Sequence, residues 1–163
     1  LSQELKVPVG KIKSFVLGGH GDSMVAMLES TEIDGKNISE IIKDGKLSKE
    51  KLDQIVERTK KGGAEIVKYL EKGSAFYAPA ASGVEMAECF IKDLKKQLPC
   101  AAYLNGEYGF TNVYAGVPII IGKNGVEKII ELNLSQKEKD AFALSVKTVQ
   151  DLYKAAQKID PNL

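Results

Sequence analysis

The chain carries one histidine in 163 residues, His20, set among glycines in Gly18-Gly19-His20-Gly21-Asp22-Ser23. Histidine is the side chain that takes up and returns a proton near neutral pH. Glycines on either side remove Cβ atoms, so a ligand can approach the backbone closely. Acid–base chemistry in this chain would therefore centre on His20. The competing reading is a structural histidine, and residue types alone leave both open. Asp22 also has two readings. It can pair with the imidazole, or it can bond nearby backbone N–H groups and shape the loop, the usual role of aspartate in a turn.

Other chemistries lack their residues. No GxSxG elbow supplies an exposed serine nucleophile, and Ser23 close to His20 in sequence is not a triad. Cys89 and Cys100 form no CxxC and have one histidine to share a metal with, so no zinc site is expected. Cys89 lies in an apolar helical pattern and Cys100 in an expected strand; both read as buried free thiols of a reducing compartment. No GxGxxG follows a strand and no P-loop is present, so these residues hold no nucleotide-binding βαβ unit of their own. With 23 basic and 22 acidic residues the net charge is +1. That balance lacks the basic excess of nucleic-acid binders. No apolar run reaches the roughly 18 residues of a membrane span, and no signal peptide is visible.

A loop needs a scaffold. The length, with 44% apolar and 28% charged residues, suits one globular domain with a hydrophobic core. Residues 12–17 read as a strand running into the glycine loop. Residues 24–33 read as an extended segment turning back at Asp34-Gly35. Residues 37–42 suit one or two helical turns closed by Gly45. Ser48 is an N-cap for a long helix whose apolar stripe is Leu52, Ile55, Val56, Thr59, Gly63, Ile66, Val67 and Leu70, ended by Gly73. Gly62-Gly63 inside it implies either a local kink or close approach by another helix or a partner subunit. Pro79 fits the first turn of a further helix carried on by Val84, Ala87, Phe90, Ile91 and Leu94. Its small residues either leave N–H groups open to an anionic ligand or allow tight packing through alanine.

After Leu98 the pattern becomes extended. Asn105-Gly106 and Asn124-Gly125 are hairpin signals. They predict strands at 100–104, 107–115, 117–121 and 126–132, with Pro118 at a strand start or bulge. Ser135-Gln136-Lys137-Glu138 is a capping box opening a final helix, with Phe142, Val146, Val149 and Leu152 facing the core and an end near Ile159. The expected fold class is α+β, an antiparallel sheet with packed helices. Leu1 is not an initiator methionine, and residues 1–5 read like the tail of a helix already under way. The expectation is a single domain, residues 1–163, cut from a longer protein.

The segment Leu17-Gly18-Gly19-His20-Gly21-Asp22-Ser23-Met24-Val25 closely resembles the active-site histidine motif of the lactate/malate dehydrogenase family. The resemblance runs on through Phe76-Tyr77-Ala78-Pro79-Ala80-Ala81-Ser82, Val117-Pro118-Ile119-Ile120-Ile121-Gly122, the Asn124-Gly125 hairpin and the Ser135 capping box. It implies the C-terminal, substrate-binding domain of such an enzyme, without the N-terminal Rossmann domain that holds most of the NAD. It implies His20 as proton acceptor and donor, Gly19 and Ala78 beside the substrate, and Ser82 beside the nicotinamide. Lactate dehydrogenases usually carry glutamate in place of Gly19 and threonine in place of Ala78, so the pattern resembles the malate branch. By the same resemblance the substrate pair is malate and oxaloacetate, the protein is cytoplasmic, and it assembles as a homo-dimer or homo-tetramer. The family's orienting aspartate and carboxylate-binding arginine fall before Leu1. Arg58, the sole arginine, matches no family motif and reads as a surface or subunit-interface charge. Two rivals remain: a lactate dehydrogenase domain, and a non-catalytic assembly module in which His20 is structural.

Overall fold

The computed structural model describes residues 1–161. Among these, the order begins with helix α1 (Ser2–Leu5), then strands β1 (Ile12–Lys13), β2 (Val16–Leu17), β3 (Val25–Ala26), β4 (Glu32–Ile33) and β5 (Lys36–Asn37). Helices α2 (Ile38–Lys43), α3 (Lys49–Lys60), α4 (Gly62–Leu70) and α5 (Tyr77–Ile91) follow. Strands β6 (Lys96–Asn105), β7 (Thr111–Gly122) and β8 (Gly125–Ile129) lead into the closing helix α6 (Gln136–Ile159). All strand pairs are antiparallel. The α+β expectation holds.

The largest sheet is β6-β7-β8, with β7 in the middle. Alternate residues of β7, Val113, Ala115, Val117, Ile119 and Ile121, are buried, the period of a strand with one face on a core. Phe142 and Val146 of α6 close that core, joined by Leu17 of β2 and Met27 just past β3. A second cluster gathers Ile33, Ile38, Ile41, Leu47 and Leu52.

Several expectations needed correction. The strand expected over 12–17 is split, because β1 joins β4 and β2 joins β3 in different sheets. The break expected between Ala115 and Val117 does not occur. β7 runs through, and Pro118 stands inside it opposite Pro99. Two facing prolines suit a pair that exchanges no N–H bonds. The Pro118 carbonyl points the other way and accepts from the Ile130 N–H at 2.8 Å. Residues 107–109, expected as strand, form a 3-10 turn in which Tyr108 takes φ 55°. The Tyr108 hydroxyl donates to the Ile130 carbonyl at 2.8 Å and accepts from the Leu132 N–H at 3.0 Å. Burial pushes this phenol's pKa up, so it stays protonated and able to donate. The last strand is shorter than expected, ending at Ile129.

The long helix is broken at Lys61 into α3 and α4. Apart from the helix's own backbone and the adjoining residues, no described atom lies within 4 Å of where a Cβ would stand on Gly62 or Gly63. No other described helix of this chain therefore packs closely on the pair, which directly follows the kink at Lys61. Arg58 spans the break, its guanidinium donating twice to Glu65 at 2.9 and 2.7 Å. That hydrogen-bonded guanidinium holds the Glu65 carboxyl below its ordinary range. Of the expected apolar stripe, Leu52 is buried and Ile55 and Val56 are partly covered, but Ile66, Val67 and Leu70 are exposed. On α5, Cys89 is buried while Val84, Phe90, Ile91 and, just beyond the helix, Leu94 are exposed. On α6, Phe142 and Val146 are buried and Val149 packs against the core, whereas Leu152 is 67% exposed, not in the core as expected.

The capping box forms as expected. Ser135 Oγ accepts from the Glu138 N–H, and Glu138 Oε2 accepts from the Ser135 N–H at 3.1 Å. Glu138 Oε1 also accepts from the Glu29 N–H at 3.2 Å. Ser135→Ala should therefore cost about 1 kcal/mol, the usual worth of an N-cap. Glu138→Ala should cost about 2–3 kcal/mol, because it strands a second partly buried amide. Urea denaturation compares the two; equal losses would mean that the Glu29 bond contributes nothing. Gly116→Ala would place a methyl 2.8 Å from the Gly18 carbonyl oxygen. It should cost about 1–3 kcal/mol by overpacking, read in the same denaturation experiment.

Candidate active site

The His20 loop joins β2 to β3, which pair in the register Val16↔Ala26 and Leu17↔Val25. Its first residue is tied to the central strand of the large sheet. Gly18 donates to the Gly116 carbonyl at 2.9 Å, and Gly116 donates back to the Gly18 carbonyl at 2.8 Å. Gly18 has φ +93°, and a Cβ there would lie 2.2 Å from Ser145 Oγ. Only glycine suits both the backbone angle and the space. The next amide, Gly19 N–H, donates to Ser145 Oγ at 2.8 Å. The turn closes with Met24 N–H donating to the Gly21 carbonyl at 3.1 Å.

His20 is exposed at the crest of this loop. It borders a cleft of ≈380 Å³ lined also by Leu17, Gly19, Met24, Pro99, Cys100 and Gly116. Gly21 has φ +94°, and nothing lies within 4 Å of its missing Cβ, so the space beside the imidazole backbone is open. A Cβ on Gly19 would meet Ser23 Oγ at 2.8 Å and Val149 Cγ2 at 3.0 Å. A larger residue there must displace one of them. Cys100, expected buried, is half-covered, and burial pushes its thiol pKa up. It faces the cleft as a neutral, unreactive wall. Cys89 is fully buried.

Asp22 does neither thing expected of it. Among the described residues its carboxylate is exposed and makes no hydrogen bond to His20 or to a loop amide. It borders a different groove, facing α3 and α6. The turn is closed by backbone and by Ser145 instead. Ala78 and Ser82 stand on the first turns of α5, one helical turn apart on one face and both exposed. The structure thus brings Gly19 and His20 together at one cleft, with Ala78 and Ser82 outside its lining. The alanines of α5 are exposed rather than packed on another helix of this chain. Ser145 went unnoticed in the sequence. Its one signal was a serine on the core side of an amphipathic helix, next to Val146, where an apolar residue is the rule.

Among the described residues no group of three acidic, cysteine or histidine side chains gathers to hold a metal. Among the same residues no helix is long and apolar enough to cross a membrane.

The fold and loop have counterparts in known proteins. Residues 1–159 match the family model described as lactate/malate dehydrogenase, alpha/beta C-terminal domain. The whole chain is 61% identical over 163 residues to a malate dehydrogenase of Pelagibacter ubique (strain HTCC1062), covering 51% of it. The malate dehydrogenase of Cryptosporidium parvum superposes with a TM-score of 0.93 at 42% identity, over 96% of this chain and 50% of that one. A lactate dehydrogenase of Eimeria maxima, solved with NADH and oxamate, superposes at 0.94 with 40% identity, over 98% of this chain and 50% of that one. The chain thus spans about half the length of these relatives. With a family match along nearly its whole length and a relative this similar, the chain belongs to the lactate/malate dehydrogenase family and corresponds to its C-terminal domain.

Proposed function

We propose that this chain is the substrate-binding half of an NAD-dependent malate dehydrogenase, in which His20 exchanges the substrate proton. The observation that carries the reading is the loop itself. A single imidazole is presented, exposed, at the rim of a cleft by a turn that the sheet and α6 hold in place. Such a side chain is suited to general acid–base work on a bound hydroxyl. In malate oxidation, His20 takes the proton of the C2 hydroxyl. In the reverse direction it returns the proton to the forming alkoxide of oxaloacetate.

The residues present are compatible with a nicotinamide close by. The space at Gly21 is open, and the helix turn bearing Ser82 is exposed and built from small side chains. NAD, when bound, supplies the hydride acceptor. Ser82 would border the ring, and Gly19 and Ala78 would leave room for a dicarboxylate beside it. By the family likeness the nucleotide domain is a separate part of the protein, and the orienting aspartate and carboxylate-binding arginine stand on the helix that leads into this domain and are not among these residues, which alone are expected to be inactive. The same family likeness supports a cytoplasmic homo-dimer or homo-tetramer.

Malate is favoured over lactate by Gly19 and Ala78 and by the 61% identity to a malate dehydrogenase. The lactate dehydrogenase of Eimeria maxima, superposing as well as the malate enzyme does, keeps the lactate reading as the alternative. In the full-length protein, turnover of oxaloacetate with NADH should exceed that of pyruvate by at least about 100-fold, because a site built to bind a polar group rejects an analogue that lacks it by up to about 10⁴–10⁵-fold. A preference for pyruvate would establish the alternative. His20→Asn should lower kcat/KM by at least about 10²–10⁴-fold, the contribution of a positioned acid–base group. A variant within a fewfold of the unmodified rate would make His20 structural, as the assembly-module reading requires.

A further inference from the structure

We propose that Ser145, on the closing helix α6, is a positioning residue for His20. This rests on the reading of His20 as the proton carrier. His20 stands between two glycines, and glycine restricts the backbone less than any other residue. The shape of the loop at His20 must therefore be imposed from outside it. The sheet fixes Gly18 through its two bonds to Gly116. Gly19 N–H is the next group along, it lies beyond the sheet, and Ser145 Oγ is its acceptor at 2.8 Å. That bond sets the plane of the Gly18–Gly19 peptide, from which the chain continues directly into His20.

Ser145 is well placed to hold the loop. It is 1% exposed, so solvent does not compete for the bond. It is flanked on its helix by Phe142 and Val146, both fully buried in the main core. Its side chain fills the space where a Gly18 Cβ would be, with Ser145 Oγ at 2.2 Å and Cβ at 2.8 Å from that position. Val149, one turn further along α6, closes the side of Gly19 at 3.0 Å. The hydrogen bond of the Ser145 hydroxyl goes to the Gly19 amide and not to a group of the surrounding apolar core. The hydroxyl's task is at the loop. Ser145 touches neither substrate nor cofactor in this reading; it acts through Gly19.

The test uses the full-length protein carrying Ser145→Ala or Ser145→Thr. In S145A, kcat for malate oxidation should fall about 10- to 100-fold, the cost of misplacing a catalytic group by a fraction of an ångström to an ångström. The KM for NAD should stay within about twofold, because the dinucleotide is bound mainly by the other half. Amide exchange in the peptide spanning residues 17–25 should speed up while the rest of the protein is unchanged. S145T keeps the hydroxyl and should recover most of kcat. Should the extra methyl prevent S145T from folding, S145C takes its place; it keeps the volume with a weak acceptor and should behave like S145A. A folded S145A with kcat within about twofold of the unmodified enzyme, or loop exchange that does not change, overturns the proposal and leaves the assignment of His20 intact. A folded S145T as slow as S145A, or an S145C as fast as the unmodified enzyme, overturns it too. Absence of turnover in the unmodified protein, or normal turnover in His20→Asn, overturns the underlying reading instead.

Discussion

The site depends on one close approach between two backbones. Gly18 and Gly116 exchange N–H···O bonds in both directions, at 2.9 and 2.8 Å. Neither could carry a side chain without a clash, with Ser145 in one case and with the Gly18 carbonyl in the other. This contact brings the β2–β3 hairpin against the middle strand of the large sheet. β7 can offer that edge because β8 pairs only with its later half, from Ile119 to Gly122. The earlier half is left free to take Gly18. Strand length in β8, Gly18 just after β2 and Gly116 within β7 thus act together to place one imidazole.

Around that contact the fold divides its tasks. The backbone bonds fix where the loop begins, and α6 fixes its direction. The capping box at the start of α6 reaches the same region from the other side, since Glu138 also accepts from Glu29, just past β3. The helix that closes the core therefore touches both ends of the β2–β3 unit. A change in how α6 packs would be felt at His20, although Ser145 and Gly19 are far apart in sequence. The cleft wall opposite is made of Pro99, Cys100 and Ala101 from β6. These are small or neutral groups that add shape without adding charge.

Local chemistry in the sequence announced much of this. Asn105-Gly106, Asn124-Gly125 and Asp34-Gly35 mark turns because residues there must adopt positive φ, and the capping box marks the start of α6 through two reciprocal bonds between near neighbours. Such signals are short-range and the structure honours them. The failures are long-range. Apolar periodicity in α4 and α5 correctly gave helices, but it says only that one face is apolar. It does not say what covers that face, and here Ile66, Val67, Val84 and Phe90 are exposed. Pro118 reads from the sequence as a strand start or a bulge, because it lacks the N–H that a strand interior uses. The partner that makes the omission harmless, Pro99, becomes visible only once the register is known. His20 could be singled out as a scarce group, while Ser145 could not, because its meaning depends on an amide 126 residues away.

The loop is specified more by side chains that are absent than by those present. Asp22 is the loop's conspicuous polar residue, yet it points to another groove and holds nothing at His20. Gly18, Gly19 and Gly116 contribute no functional groups but determine how closely α6, the hairpin and the sheet can meet. Charged or polar residues near a site draw attention because their chemistry is evident. In this domain, adding a methyl at Gly18 or Gly116 alters the geometry directly, because each meets a backbone or buried side chain at less than 3 Å. Losing the Asp22 carboxylate removes no hydrogen bond from the loop. Sensitivity to mutation around His20 should therefore follow steric room and the single buried hydroxyl of Ser145, rather than charge.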